Sequence, residues 1–541
     1  MGLLLPVQAQ HVRPPDAGRL LQENRPAPAP PSAAPVLPGT LQSDGSADAV
    51  PAAGPRVVLR EVRVQEVPGV DMARLRAATG LDQVAGQALD LNGLRALAQQ
   101  VTHYLQEQGY LVARAWLPEQ DLSSGVLQIQ VLEGRYGQAL AQGSDSAVAA
   151  AAQRWLAPMP HGQVVTRPQL HRSLLLLTDL PGISTRSVLR PGAEVGEADL
   201  LLEVEPTERW KGRVALDNYG NRYSGRERLS AGVELQPGLV LGDQASIDVL
   251  GTREKTWQAA ASYSLPLGID GWRLQTQLSR TDYQLGKEFS ALDAHGTADT
   301  FFLGASYPLL RTQYANIRTS MGWQYRRLRD YRDALHNAER KNAKAVVLSL
   351  SGDWIEPHAV SWGSLSLHAG DLQLRDEQRA IDSLTARTAG RYNRLNLDAA
   401  RIQSVLSDWS VYGRVSAQWA NKNLDGSEKM TLGGSTGVRG WPTGEAMGDR
   451  GWLAQLELRW QLAPAWQPYV FVDGGSVHLN KSPWWVGHNS RSIYGRGLGV
   501  RYDAKPIKVD LSVARRNGSS ASQSEPDASR TRVWLSASYQ F

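Results

Sequence analysis

The strongest constraint on this chain is a two-residue alternation that runs from residue 207 to the C-terminal Phe541. Between Trp452 and Trp460 the even positions Trp452, Ala454, Leu456, Leu458 and Trp460 are apolar, and Gln455, Glu457 and Arg459 lie between them. Trp272, Leu274, Thr276 and Leu278 alternate in the same way with Arg273, Gln275, Gln277 and Ser279. Successive side chains of an extended strand leave on opposite faces, so each segment presents one apolar and one polar face. Each runs for about nine or ten residues, the span of a tilted transmembrane strand. Fifteen of the 17 tryptophans and 14 of the 17 tyrosines lie beyond residue 207, many at segment ends, where a membrane interface takes amphipathic rings. A soluble sandwich would bury one face and leave few tryptophans outside it. The final segment sets Val533, Leu535, Ala537, Tyr539 and Phe541 on one face against Ser536, Ser538 and Gln540 on the other. At about 21 residues per strand and loop, the last 335 residues hold roughly 16 strands, wide enough to enclose water. A pore of that size needs a plug.

Composition removes other classes. Lys+Arg 58 against Asp+Glu 53, with no basic cluster, argues against nucleic acid as a partner. No apolar run approaches the ~18 residues of a spanning helix. Cysteine is absent, which removes disulfides, thiolate nucleophiles and zinc-thiolate sites. The ten histidines show no H-x-x-x-H or H-E-x-x-H spacing, and no G-x-x-x-x-G-K-[ST] occurs, so no metal, cofactor or nucleotide site is indicated. Gly433-Gly434-Ser435-Thr436-Gly437 matches the serine-hydrolase elbow G-x-S-x-G, but Val438-Arg439-Gly440-Trp441-Pro442 cannot begin the helix that the elbow requires. We expect no enzyme.

Ahead of the alternating region the chain has several parts. Residues 1–9, ending in Val7-Gln8-Ala9, read as the remnant of a signal peptide, or alternatively as an ordinary frayed terminus. Residues 10–25 contain an N-cap aspartate, Asp16, then Arg19, Leu20, Leu21 and Glu23, and a proline stop at Pro26. A helix this short does not hold alone in water, so it is either enclosed or unfolded. Residues 26–55 carry eight prolines and form a semi-extended linker that reaches on the order of 90 Å at ~3.1 Å per residue. From 56 to 134 the pattern is α+β. Strand positions Val57, Leu59, Val62 and Val64 precede a helix over Met72 to Thr79. A second, amphipathic helix carries Leu94, Leu97, Val101 and Leu105, and two strands cover Leu111 to Leu117 and Val126 to Leu132. A weaker copy spans 135–206, with helices near Ala147 to Leu156 and Arg167 to Leu177, then strands near Ser184 to Leu189 and Asp199 to Glu205. The repeat, about 75 residues long, is similar to a POTRA domain, or is any small α+β sandwich.

The stretch Gly433 to Pro442 is the most informative. Its core, Val438-Arg439-Gly440-Trp441, resembles the V-R-G-Y/F signature on the sixth extracellular loop of the BamA-like barrel superfamily, with Trp441 where Tyr is commoner. Phe471-Val472-Asp473-Gly474-Gly475 resembles the F-x-D-x-G strand motif of the same superfamily. The resemblance implies that a loop near 426–451 folds into the lumen and that Arg439 pairs with Asp473, as part of a lock formed by Val438, Arg439, Gly440, Trp441, Phe471, Asp473 and Gly475. Leu216-Asp217-Asn218-Tyr219-Gly220, Gly242-Asp243 and Tyr263-Ser264-Leu265-Pro266-Leu267-Gly268 look like the first hairpins of the two-partner secretion (TpsB) transporters, which include FhaC and the ShlB haemolysin transporters. Two POTRA-like units, a detached helix and a proline-rich linker fit that family better than the BamA assembly factors.

The resemblance implies a membrane β-barrel of about 16 antiparallel strands over 207–541, two periplasmic α+β POTRA domains and a plug helix formed by Asp16, Arg19, Leu20, Leu21 and Glu23. It further implies a monomer in the Gram-negative outer membrane, in contact with outer-membrane lipid. Its work would be to secrete a large unfolded β-rich exoprotein of the TpsA type: an adhesin, a haemolysin or a contact-dependent inhibition toxin. The aromatic ending at Phe541 resembles the closing strands that the barrel assembly machinery recognises. Leu170, Leu174, Arg186 and Val188 either line a client groove in the second POTRA unit or simply pack together. The alternative function is a BamA-like insertase of other barrels, whose loss would lower many outer-membrane proteins instead of one secreted product.

Overall fold

A computed structural model describes residues 14–23 and 55–541; residues 1–9 and most of the linker lie outside them. The described chain forms two compact units, one built on the segment ahead of 207 and the other on the barrel with the N-terminal helix.

In the first unit the repeat is explicit. The helix Met72–Thr79 begins where the Asp71 carboxylate accepts from the N–H groups of Ala73 (3.0 Å) and Arg74 (3.1 Å), and ends at Gly80, whose φ of 64° is the left-handed stop glycine tolerates. The helix Leu91–Glu107 starts at Asp90 in the same way and turns Leu94, Leu97, Val101 and Leu105 onto a three-stranded sheet. The central strand of that sheet, Val126–Leu132, runs parallel to Glu61–Val64 and antiparallel to Arg114–Trp116. The second copy repeats this order: Glu197–Pro206 lies between the parallel strand Arg135–Gln142 and the antiparallel strand Ile183–Pro191. The helices Ser146–Gln153 and Arg167–Thr178 precede the last two strands. The strand Arg135–Gln142 was not anticipated from sequence. Its residues, RYGQALAQ, lack β-branched side chains and include a glycine.

The second unit is a closed antiparallel barrel of sixteen strands, from Trp210–Asp217 to Thr531–Gln540, each 8 to 20 residues long. The alternation read from sequence is the inside–outside alternation of its wall: Trp452 (43% exposed), Leu456 and Leu458 face outward, while Gln455 and Glu457 (3%) are buried inward. Trp210, Trp257, Trp272, Trp409 and Trp466 each open a strand and Trp460 closes one. Trp409 and Trp460 stack at 5.7 Å across neighbouring strands, forming part of an interfacial girdle. The barrel closes where Thr531–Gln540 pairs with Trp210–Asp217, but only Ser536 to Gln540 take part in that ladder. Phe541 extends it through two backbone hydrogen bonds with Gly212 and packs edge-on against Trp210. No helix among the described residues is long and apolar enough to cross a membrane.

One expectation needs correction. The alternation read from 207 to Phe541 is interrupted: Asp376–Leu384 forms a helix in the connection between the strands Ala359–Leu374 and Gly390–Ser404. Asp376 and Glu377 in its first turn favour the helix N-terminus, and its shortness hid it among strand signals eighteen to twenty residues long.

Candidate functional site

The sequence DAGRLLQE folds as the helix Ala17–Glu23, capped by Asp16, whose carboxylate accepts from the Arg19 N–H at 2.8 Å. This helix lies inside the barrel. Leu20, with Leu21 beside it, packs among Tyr283 and Leu328 of the wall strands and Tyr223 and Phe289 of the connections between strands. Polar contacts fix its two ends. The Ala17 N–H donates to Asp330 (2.7 Å), and Lys341 bridges Asp16 (3.6 Å) and Asp425 (2.9 Å). At the other end Arg19 pairs with Glu23 (2.8 Å) and donates to the Gly444 carbonyl (3.1 Å), while Glu23 also accepts from Asn221 (3.3 Å). Burial pushes the Glu23 carboxyl upward, with Arg19 opposing it. Burial alone would raise Asp425 too, but the Lys341 ammonium holds that carboxyl below the ordinary range. At Gly18 the approach to the loop is so close that a Cβ would lie 2.7 Å from the Ser427 nitrogen. Every residue singled out for the plug therefore lies in the helix or caps it, and a chain segment too short to be stable alone is held by the wall around it.

The second occupant of the lumen is the connection between the strands Trp409–Ala420 and Arg450–Trp460. Its Val438-Arg439-Gly440-Trp441 core is almost wholly buried. Arg439 grips Asp473 with two guanidinium bonds, Nε to Oδ2 at 2.8 Å and Nη2 to Oδ1 at 2.7 Å, and with its backbone N–H at 3.1 Å. The remaining nitrogen, Nη1, donates to Glu457 at 2.6 Å, and the guanidinium sits 3.5 Å from the centre of the Phe471 ring. Trp534 donates its indole N–H to the Arg439 carbonyl (2.8 Å), and Trp441 donates to the Tyr494 carbonyl (2.9 Å). Gly440 passes within 2.8 Å of the Arg516 nitrogen, measured from where a Cβ would stand, so no larger residue fits. Gly475 belongs to the wall strand Trp466–His478 beside Leu432. The seven lock residues thus come together in one place.

The lock is larger than the motifs suggest. Glu457 also accepts from Arg459 (2.8 Å) and Arg501 (3.0 Å), and Arg501 continues to Asp510 (2.9 Å). Three arginines and three carboxylates therefore balance within one cluster, buried at Arg439, Glu457 and Asp473 and partly exposed at Arg501 and Asp510. Alternation had turned Glu457 and Arg459 inward, but no spacing links them to residue 439. Closer to the helix, Glu428 pairs with Arg326 and with Arg394 (2.9 Å), joining the loop to two further wall strands. The loop serine Ser435 is followed by a tight turn and not a helix, so the G-x-S-x-G match is a structural coincidence.

The groove residues divide. Leu170 (0% exposed) and Leu174 (2%) are core side chains of the second α+β domain and cannot line a groove; the apolar face that suggested a binding surface is spent on packing. Arg186, which is exposed, and Val188, which is half-buried, lie on Ile183–Pro191, an edge strand of its sheet.

The comparisons agree with this geometry. Residues 196–502 match the family described as haemolysin secretion/activation protein ShlB/FhaC/HecB, and residues 57–134 match the ShlB-type POTRA domain. The heme/hemopexin transporter protein HuxB of Haemophilus influenzae is 25% identical over 501 residues, covering 89% of this chain and 87% of HuxB. The solved structure of CdiB from Escherichia coli superposes with a TM-score of 0.72 at 21% identity, covering 93% of this chain and 94% of that one. BamA from Haemophilus ducreyi lacking POTRA domains 1–3 is more distant, with a TM-score of 0.50 at 13% identity, covering 90% of this chain and 100% of that one. With two POTRA-type repeats before a sixteen-stranded barrel, and a match over more than half its length, this chain belongs to the ShlB/FhaC/HecB family of two-partner secretion transporters of the outer membrane, whose POTRA domains stand in the periplasm.

Proposed function

We propose that this transporter exports one large, unfolded, β-rich exoprotein of the TpsA type, and that the helix and the Arg439 loop are the two bodies that must yield for it to pass. The observation that carries this reading is how the lumen is filled. Both occupants are fastened by ion pairs and hydrogen bonds to the inner wall, contacts that water can replace once a body moves, and each adds one small apolar cluster. Client recognition falls to the sheet edges of the periplasmic domains. The edge strand Ile183–Pro191, with Arg186 and Val188, offers unpaired backbone groups to an extended segment: main-chain hydrogen bonds give affinity and neighbouring side chains give selectivity. Among outer-membrane proteins no ATP is at hand, so folding of the client outside supplies the drive by withdrawing the exported state from equilibrium. The protein works as a monomer surrounded by outer-membrane lipid, and the strand ending at Phe541 is the segment read by the barrel assembly machinery during biogenesis. It performs no catalysis.

The test is the identity of what disappears. Deleting the gene should remove a single very large polypeptide from the medium or cell surface and leave the population of other outer-membrane barrels unchanged. A general fall in those barrels would replace secretion with assembly.

A further inference from the structure

Glu445 lies six residues beyond Arg439 and is completely buried (0% exposed). Its carboxylate accepts from the hydroxyls of Ser522 (2.7 Å) and Ser524 (2.6 Å) and from the backbone N–H groups of Gln523 (3.0 and 3.1 Å) and Ser524 (2.8 Å), and it is ion-paired with Arg491. Its own backbone carbonyl accepts from Leu432 (3.2 Å) and Gly433 (2.9 Å), which ties together the two arms of the loop. Residues 522–524 belong to a different connection, 517–530, which leads into the strand Thr531–Gln540 that closes the barrel. That connection also reaches across the closing seam, where Glu525 pairs with Arg532 on one side and with Arg226 on the other. The seam gains from such support, since its paired ladder covers only Ser536–Gln540, with Leu535 and Phe541 adding backbone hydrogen bonds at its two ends. None of the groups holding the Glu445 carboxylate also holds Arg439, which is fastened to Asp473, Glu457, Phe471 and Trp534.

We propose that Glu445 is a second, independent positioning residue of the pore loop, fastening it to the connection 517–530 beside the closing seam. The chemistry is specific to a carboxylate. Four N–H and O–H groups and a guanidinium converge on two oxygens, and replacing either oxygen with an amide NH₂ sets donor against donor. The loop is thus pinned at two points: at Arg439 to the wall, and at Glu445 to the connection that carries the last strand. The functional importance of the second pin rests on the reading that the loop yields during export, but its existence does not.

The test uses the full-length protein reconstituted without a client, so its failure is separate from any failure of the export reading. The chain has no cysteine, so Met447→Cys and Ser519→Cys give one spin-label pair spanning the second pin and avoiding the residues that form it. In the otherwise native protein, pulsed electron spin resonance should return a narrow distance distribution. The isosteric Glu445→Gln variant should at least double its width while the barrel stays heat-modifiable, and Arg439→Ala should leave it narrow. An unchanged width in Glu445→Gln would overturn the proposal, as would equal broadening in Arg439→Ala. Should Glu445→Gln fail to assemble, the double variant Ser522→Ala/Ser524→Ala removes two donors from the opposite side and must broaden the distribution in the same way; a narrow one there refutes the second pin.

Discussion

Arg439→Ala is the most demanding perturbation of the lumen, because it strands a charge. Asp473 is 4% exposed and, apart from the Arg439 backbone N–H at 3.1 Å, takes its two charged hydrogen bonds from the Arg439 side chain. Glu457 loses one partner but keeps Arg459 and Arg501. The cost therefore falls mainly on Asp473, and removing one member of a buried pair costs about 3–5 kcal/mol. The loop can escape most of that cost by leaving the pocket, which hydrates Asp473, so the perturbation is converted into displacement. At about 1.4 kcal/mol per tenfold change, the ratio of withdrawn to docked loop should rise by roughly two to three orders of magnitude. Labelling a single cysteine introduced at Val438, which is fully buried in the docked loop, with a membrane-impermeant maleimide reads that ratio directly when opening is fast relative to labelling. Arg439→Ala should raise the labelling rate about a hundredfold or more and strongly reduce export with the barrel still in the membrane. Adding Asp473→Asn should recover part of the docking, because the stranded charge is then gone. Refutation would be a labelling rate within threefold of the parent, or undiminished secretion.

Deleting residues 10–25 should raise ion conductance across planar bilayers, and unchanged conductance would dismiss the helix as a plug. Gly18→Leu should produce the same rise without a deletion, since its Cβ would meet the Ser427 backbone at 2.7 Å and the helix cannot dock; conductance equal to the parent would show that the contact relaxes. Arg439→Lys should behave much more like Arg439→Ala than like the parent in the labelling assay, because an ammonium cannot satisfy Asp473 bidentately and Glu457 at once; full retention would mean that charge alone suffices. In the periplasmic unit, Leu174→Ala should lower the unfolding free energy of the second domain by about 2–5 kcal/mol, seen as a shifted denaturant midpoint, whereas Val188→Ser on the edge strand should cost far less. If Leu174→Ala left stability intact and weakened only client binding, its placement in the core would be wrong.

What the sequence disclosed follows the range of each interaction. The wall was legible because alternation is local: each of Trp452, Leu456 and Leu458 announces its face through its immediate neighbours. The helix Met72–Thr79 was found to the residue because both its stops, Asp71 and Gly80, are side-chain and backbone effects within one turn. The Arg439–Asp473 pair was reached only through resemblance to a family, since nothing in the chain between the two, 34 positions apart, marks them as partners. Glu445 had no signal at all. Its partners form part of a serine-containing loop without periodicity, and an isolated glutamate near a glycine reads as solvated surface. Leu170 and Leu174 failed for the opposite reason: an apolar helical stripe states that something is covered, without saying whether the cover is the domain's own sheet or a visitor.

The chemistry of the lumen follows from having two states to serve. An apolar inner wall would hold the helix and loop by excluding water, and once they left it would remain dry or seize the apolar side chains of an unfolded client. Charged contacts limit both outcomes by confining the apolar part to two small clusters, Leu20 in the helix and Val438 with Trp441 in the loop. In the closed state the Arg439 cluster balances three guanidinium groups against three carboxylates, so no net charge is stranded in the low-dielectric interior. In the open state water takes over the same lone pairs and protons, and a hydrogen bond to water replaces each one lost, at a net cost of only about 0.5–1.5 kcal/mol per typical bond. The helix follows the same rule at its ends, with Lys341 between Asp16 and Asp425, and keeps one small apolar cluster, Leu20 with Ala17 and Leu21 against Tyr223, Tyr283, Phe289 and Leu328. In that cluster Leu20 is the largest fully buried apolar side chain of the helix, and its release exposes apolar surface to water. Leu20→Ser should therefore shift the helix outward through the hydrophobic term, about 25 cal/mol per Å² of buried area, and its effect on conductance should be insensitive to salt. Lys341→Gln should loosen the same helix in a way that added salt mimics in the parent protein, and identical salt responses for the two variants would show that the helix is not held by two separable kinds of contact.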